Sequence, residues 1–267
     1  MRHPRIEILA EISLVFGILM LSFALRWRYL ELNPMPDRDS ALYCQIATVW
    51  SQTGDFERAS ENLGGTAPLY IYLLKLGVDR GLPIITWGRI LAFFFAGAFV
   101  LAFYFLGKEL FPGRRDGALI CMTLAGVHPV IGRISVGLLR EGPFLALTAW
   151  SLVAFVMAFK TRGVKAASVC GVLLGTASLT RHEALELLLL GMAALLPWRW
   201  EKAPDAAPAA AKSTPAAKAK ALLRETLPSL SMLAGAAAAA VAILLLTGVP
   251  LSFLMYQYWS KLDKVKF

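Results

Sequence analysis

Charge is what this 267-residue chain has least of: Asp, Glu, Lys and Arg make up 17% of it, where soluble domains carry roughly a quarter. Hydrophobic residues reach 57% and the mean hydropathy is +0.60. That balance excludes an ordinary soluble domain and points to an all-α, polytopic membrane helical bundle. Cysteine is equally scarce. Cys44, Cys121 and Cys170 form no CxxC pair and the last two lie inside apolar runs, which excludes a disulfide framework and a thiolate zinc site. His128 and His182 have no second histidine or carboxylate at metal-ligand spacing, so both are expected to be structural. No metal site and no cofactor are expected, and the sequence is silent on whether a divalent ion assists. An internal repeat is absent too.

The net charge of +9 would suit nucleic acid only if it formed one patch. Instead the basic residues fall in short segments between apolar runs: Arg2 and Arg5; Lys108, Arg114 and Arg115; Lys160, Arg162 and Lys165; then Arg199, Lys202, Lys212, Lys218, Lys220 and Arg224. These are alternate loops. The pattern reads as positive-inside topology with a cytoplasmic N-terminus, and no nucleic-acid partner is expected. Windows of about 20 residues predict about seven spans: 8–25, 90–106, 117–136, 144–159, 166–179, 184–197 and 230–246. Glu7 and Glu11 interrupt the first run and no small-residue cleavage site follows it, which argues against a signal peptide. The third span contains His128-Pro129 and should be kinked or broken there.

Three regions follow: a transmembrane module over 1–200 with an outer loop at 29–86, a disordered cytoplasmic loop over 201–226 rich in alanine, proline and lysine, and a seventh span with its tail over 227–267. Segment 249–259 is too short for an eighth span and reads as an interfacial helix or the start of a span that has been cut off. With an odd number of crossings, Lys261, Lys264 and Lys266 lie on the side where positive charge is disfavoured.

The outer loop is net acidic, Glu31, Asp37, Asp39, Asp55, Glu57, Glu61 and Asp79 facing Arg38, Arg58, Lys75 and Arg80. Helical spacing of Leu42, Ile46, Ala47 and Trp50 predicts a helix over 41–51, with Asp39 or Ser40 as N-cap. Gly64-Gly65 breaks the chain before a second amphipathic helix over 68–78. Both are expected on the outer membrane surface. On this topology Asp37, Arg38, Asp39, Arg133, Arg140, Glu141, Arg181, His182 and Glu183 gather at the outer face. Ionisable groups near spans are costly, roughly 2.5 to 3.5 kcal/mol each at a helix centre, and are usually paired or functional. Carboxylates can activate a hydroxyl or amine, while a guanidinium offers a planar fork of donors to a phosphate.

Asp39-Ser40-Ala41-Leu42-Tyr43 after the first span resembles the Asp-x-x-x-Tyr element of GT-C glycosyltransferases of the protein O-mannosyltransferase and aminoarabinose transferase type (glycosyltransferase family 39). Ala67-Pro68-Leu69-Tyr70 resembles that family's Pro-Pro-Leu-Tyr segment, and Arg140-Glu141-Gly142-Pro143-Phe144 its Ser-Glu-Pro-Leu-Phe element. The run from Leu173 to Leu185 resembles its Leu-Gly-x-x-x-Leu-Thr-Arg-Pro-Glu-Ala element. The four occur in the family's order and cover about residues 8–200. Ser40 stands where the family often has Glu, Ala67 replaces the first of its paired prolines, and relatives carry further spans and an outer domain after this module.

The resemblance implies an inverting transfer of sugar from a polyprenyl-phosphate donor to a lipid, glycan or protein acceptor at the outer face of, in a bacterium, the inner membrane. Asp39 takes the general-base position, its rivals being an N-cap role and Asp37 as the base. Arg181, with Arg133 and Arg140, takes the donor phosphate, against headgroup snorkelling. Glu141 supports the site or forms a salt bridge to Arg140 or Arg133. Tyr43, Pro68 and Tyr70 line the substrate, although for the tyrosines packing is the stronger expectation. The other class of reading is non-enzymatic: a truncated or partner-dependent lipid-binding module whose site a second chain completes. A transporter fits less well, because the charges gather at one face rather than at a midplane between repeats.

Overall fold

The computed structural model describes residues 4–34, 36–61, 68–195 and 215–252. Among them are eleven α-helices and no strand: α1 Pro4–Leu32, α2 Arg38–Thr53, α3 Phe56–Ser60, α4 Pro68–Val78, α5 Ile84–Leu110, α6 Arg115–Val127, α7 Pro129–Val136, α8 Glu141–Thr161, α9 Val164–Ser178, α10 Glu183–Leu195 and α11 Pro215–Thr247. An apolar chain in lipid must satisfy its own backbone, and the helix does so within one segment.

Four stretches are long and apolar enough to cross a membrane: Glu7–Leu32, Ile84–Leu110, Glu141–Thr161 and Thr226–Thr247. A fifth crossing is available if α6 and α7, bent by 59° at His128, count as one broken span. This is a membrane protein with four or five candidate spans rather than the seven expected. The difference lies in α9, with 15 residues, and α10, with 13 described. At 1.5 Å per residue they reach about 22 and 20 Å, short of a hydrocarbon core of about 30 Å. Helix α11 also starts at Pro215, inside the segment expected to be disordered. Its Ala-, Lys- and Leu-rich opening has high helix propensity, and proline suits a first helical turn. The rest of that loop, 201–214, and the tail from 253 lie outside the described residues.

The break at His128-Pro129 behaves as the sequence implies. Pro129 removes an N–H, His128 leaves the helix with extended backbone, and its Nδ1 accepts from the Ile131 N–H at 3.3 Å to cap α7. What the sequence hid is the partner of the break. Arg26, one residue past the predicted span 8–25, lies inside α1 and is fully buried. Its guanidinium donates to the Gly126 carbonyl at 2.9 Å, to Ser135 Oγ at 2.9 Å and to Ser22 Oγ and carbonyl. Gly126 is in the last turn of α6, whose carbonyls lose their partners at the break. Arg26 supplies one.

Helices α9 and α11 approach at backbone distance. A Cβ on Gly171 would sit 1.8 Å from the Met232 carbonyl oxygen, one on Gly175 2.4 Å from that of Ala236, and one on Gly235 2.5 Å from that of Ser168. Small residues at four-residue spacing permit this contact where lipid provides no hydrophobic drive between helices.

The two surface helices lie at one end of the bundle, where Tyr43, Ile46, Ala47 and Trp50 of α2 pack on Tyr70, Ile71 and Leu74 of α4. Helix α4 has the expected bounds, while α2 begins earlier because its N-cap is Asp37, not Asp39 or Ser40: Asp37 Oδ1 accepts from the Ser40 N–H at 2.7 Å. At the opposite end Lys108 pairs with Glu11 at 3.0 Å, Arg115 with Glu7 at 3.0 Å and Lys160 with Glu109 at 3.2 Å.

Candidate functional site

The four sequence segments singled out above meet at the end that carries α2 and α4. Helix α2 brings Tyr43, whose ring meets that of Tyr70 edge-on at 6.1 Å between centroids. Helix α4 is anchored at its start by the Leu69 N–H donating to the Leu179 carbonyl at 3.0 Å, which sets Pro68 and Tyr70 against the turn between α9 and α10. From that turn Arg181 reaches the first residue of α8, its Nη1 donating to Glu141 Oε1 at 2.8 Å. Its Nε and Nη2 donate to Glu183 at 3.2 and 2.5 Å. The guanidinium also stacks over Phe144 at 5.5 Å.

Glu141 therefore pairs with Arg181, not with Arg140 or Arg133. The turn explains why: Thr180 is buried and its Oγ1 donates to the Ala177 carbonyl at 2.6 Å, which holds the chain so that the next side chain projects toward α8. The Arg181 N–H donors pull the Glu183 carboxyl down to about 2 from its ordinary value near 4.5, against partial burial, and the same pairing raises Arg181. Burial pushes the Tyr43 phenol up, opposed by Arg140 and Arg181 and reinforced by Glu141 and Asp39. Those four charges act on Tyr43 through space. Tyr70, 2% exposed, is raised far more by the same cause.

Unpaired buried polar atoms concentrate here. Tyr70 Oη, Arg140 Nε and Glu141 Oε2 are buried without a hydrogen-bond partner among the described residues. An unmade buried hydrogen bond costs about 1 to 3 kcal/mol, and such groups cluster where a ligand is to be held. Arg140 has unspent donors, whereas Arg181 is largely committed to its two carboxylates.

Two aspartates start α2 in different states. Asp37 is tied to the helix as its cap. Asp39, in the first turn, is exposed and its carboxylate has no hydrogen bond or ion pair among the described residues. Arg133 is not brought to Arg181. It lies on the bent α7 and lines a separate cavity with Asp37 and Arg89. Beside α8 a second, mainly apolar cavity of about 460 Å³ begins at Leu145 and runs past Thr148, Leu152 and Phe155 toward Leu187 and Leu190 of α10. Glu183 as partner of Arg181 escaped the sequence reading, although its place two residues on was the available signal. Among the described residues no group of three or more His, Cys, Asp or Glu side chains is placed to hold a metal ion, and the three cysteines are unpaired.

No protein-family model, no curated protein and no solved structure matches this chain.

Proposed function

We propose that the chain is a GT-C type glycosyltransferase module that moves a sugar from a polyprenyl-phosphate donor to an acceptor at the outer face of the membrane, with inversion. The observation that carries this reading is the meeting of the four family-like segments around Tyr43, with three orphaned buried polar atoms among them. Asp39 has an uncommitted carboxylate and accepts the proton of the attacking acceptor. Arg140 and Arg181 receive the leaving phosphate, Arg140 through its unspent donors and Arg181 by exchanging a carboxylate for the phosphate. Glu141 supports by setting the guanidinium's direction, and Tyr43, Pro68 and Tyr70 form the wall beside it. The apolar cavity along α8 and α10 begins one residue past Phe144, and its volume lies in the range of ligand pockets. It suits the first isoprene units of the donor.

In this reading the chain crosses seven times with its N-terminus in the cytoplasm, α9 and α10 being the short interior crossings that present the Arg181 turn. A positioned base contributes about 10² to 10⁴ in rate, and stabilising the departing phosphate contributes comparably. Transfer from a radiolabelled polyprenyl-phosphate sugar in proteoliposomes tests the assignment. Asp39→Asn is expected to lose at least about 100-fold in rate with donor binding intact. Asp37→Asn is expected to be mild, because asparagine caps a helix as well as aspartate. A silent Asp37→Asn enzyme beside an active Asp39→Asn enzyme reverses the two roles.

A further inference from the structure

The cavity between the outer ends of α1 and α5, the start of α2 and the bent α7 has a volume of about 360 Å³ and a half-polar wall. We infer that it is a second anion site, which takes a phosphate-bearing group between Arg89 and Arg133. It stands on this cavity alone and does not depend on the glycosyl-transfer reading.

Two guanidinium groups line it against one carboxylate, that of Asp37, and the carboxylate is already drawn to the Ser40 N–H at 2.7 Å as a helix cap. Arg89 donates through Nη2 to the Pro34 carbonyl at 2.8 Å. That single bond fixes the side chain across the cavity and leaves the rest of its fork unspent. Arg133 has no carboxylate partner among the described residues. Ser40 adds an independent sign: it lines the same wall, is 0% exposed, and its Oγ has no hydrogen-bond partner.

A partnerless buried hydroxyl in a wall that carries two guanidinium groups and one carboxylate is donor chemistry in excess of its acceptors, and a phosphate oxyanion supplies several acceptors in the geometry guanidinium prefers. The broken third span makes the site, since the 59° bend turns Arg133 out of line with α6 and into this wall. Apolar residues such as Leu30 and Ile134 complete the other half, so the anion is attached to a body with some apolar surface.

The chemistry is shared by a lipid headgroup and a water-soluble phosphate, and one experiment separates them. The purified full chain in phosphatidylcholine nanodiscs is treated with phenylglyoxal, and modification at Arg89, Arg133 and the exposed Arg58 of α3, which does not line the cavity, is followed by peptide mass spectrometry. Inorganic phosphate at constant ionic strength is expected to slow modification of Arg89 and Arg133 roughly tenfold and to leave Arg58 unchanged. If a minor fraction of phosphatidylglycerol in the disc protects both without added phosphate, the source is a headgroup; if only dissolved phosphate protects, the source is soluble. Arg133→Gln should weaken phosphate protection of Arg89 by about tenfold, and Arg133→Lys should restore part of it, which keeps the test valid if the glutamine variant folds poorly. Equal protection by chloride, protection of neither arginine, or protection of Arg89 that ignores Arg133→Gln overturns the site.

Discussion

Replacing Arg181 with alanine separates its structural duty from its chemical one. The guanidinium spends Nε, Nη1 and Nη2 on Glu141 and Glu183 at 2.5 to 3.2 Å. The three side chains are 28%, 26% and 35% exposed. Exposed ion pairs contribute about 0.2 to 1 kcal/mol, and stripping one partner from a fully buried pair costs about 3 to 5 kcal/mol. At about three-quarters covered, Arg181→Ala is expected to destabilise by roughly 2 kcal/mol. In a cycle with Glu141→Gln the coupling should be about 1 kcal/mol. Thermal unfolding in detergent, combined over wild type, both single variants and the double variant, gives that number.

Donor binding, measured with a short-chain polyprenyl phosphate in nanodiscs, should then separate the two duties. Arg181→Ala loses roughly 10- to 100-fold in affinity. Lysine rescues only part, lacking the fork. Glu141→Gln binds donor more tightly than wild type, because it releases an N–H that the phosphate must otherwise win from the carboxylate. Unchanged donor affinity in folded Arg181→Ala, together with unchanged affinity in Glu141→Gln, refutes a phosphate role for Arg181 and leaves it as a clamp between α8 and the α9–α10 turn.

Gly171→Leu drives a side chain into the Met232 carbonyl and should part α9 from α11, read as loss of a monodisperse peak in size-exclusion chromatography, whereas Gly17→Leu, with open space around its Cβ position, should behave as wild type. Glu183 has a folded pKa lowered to about 2 from 4.5, so its pairing stabilises fully above pH 4.5 and is lost as pH falls toward 2; the melting-temperature gap between wild type and Glu183→Gln should close over that window and stay constant above it. For topology, an impermeant thiol reagent applied to intact cells carrying single-cysteine variants should label Arg58→Cys and spare Ser213→Cys. Ser60 is a poor reporter, because it is buried with its Oγ donating to the Phe56 carbonyl, and labelling of Ser213→Cys from outside inverts the orientation.

Local chemistry alone determined much of this protein. The apolar runs read as α1, α5, α8 and α11, the proline break at His128-Pro129, and the helix over 68–78 are all written in contiguous residues, because each depends on hydropathy, a missing N–H or a short period. Helix ends were less legible. Asp37 caps α2 although Asp39 and Ser40 offer equally good capping side chains, and only the path of the chain after α1 chooses among them. The extents of α9 and α10 were legible to within two residues, but whether they cross was not: an apolar stretch shows that a helix is covered, and whether lipid or other helices cover it depends on neighbours. Tertiary structure alone decided the long-range partners of the arginines. Arg26 lies 100 residues from the Gly126 carbonyl it caps, and Arg181 lies 40 from Glu141. A guanidinium at the end of an apolar run carries no local mark of its partner, since the same spacing serves an arginine that snorkels to a headgroup, one that closes a broken helix, and one that holds two carboxylates at the mouth of a site.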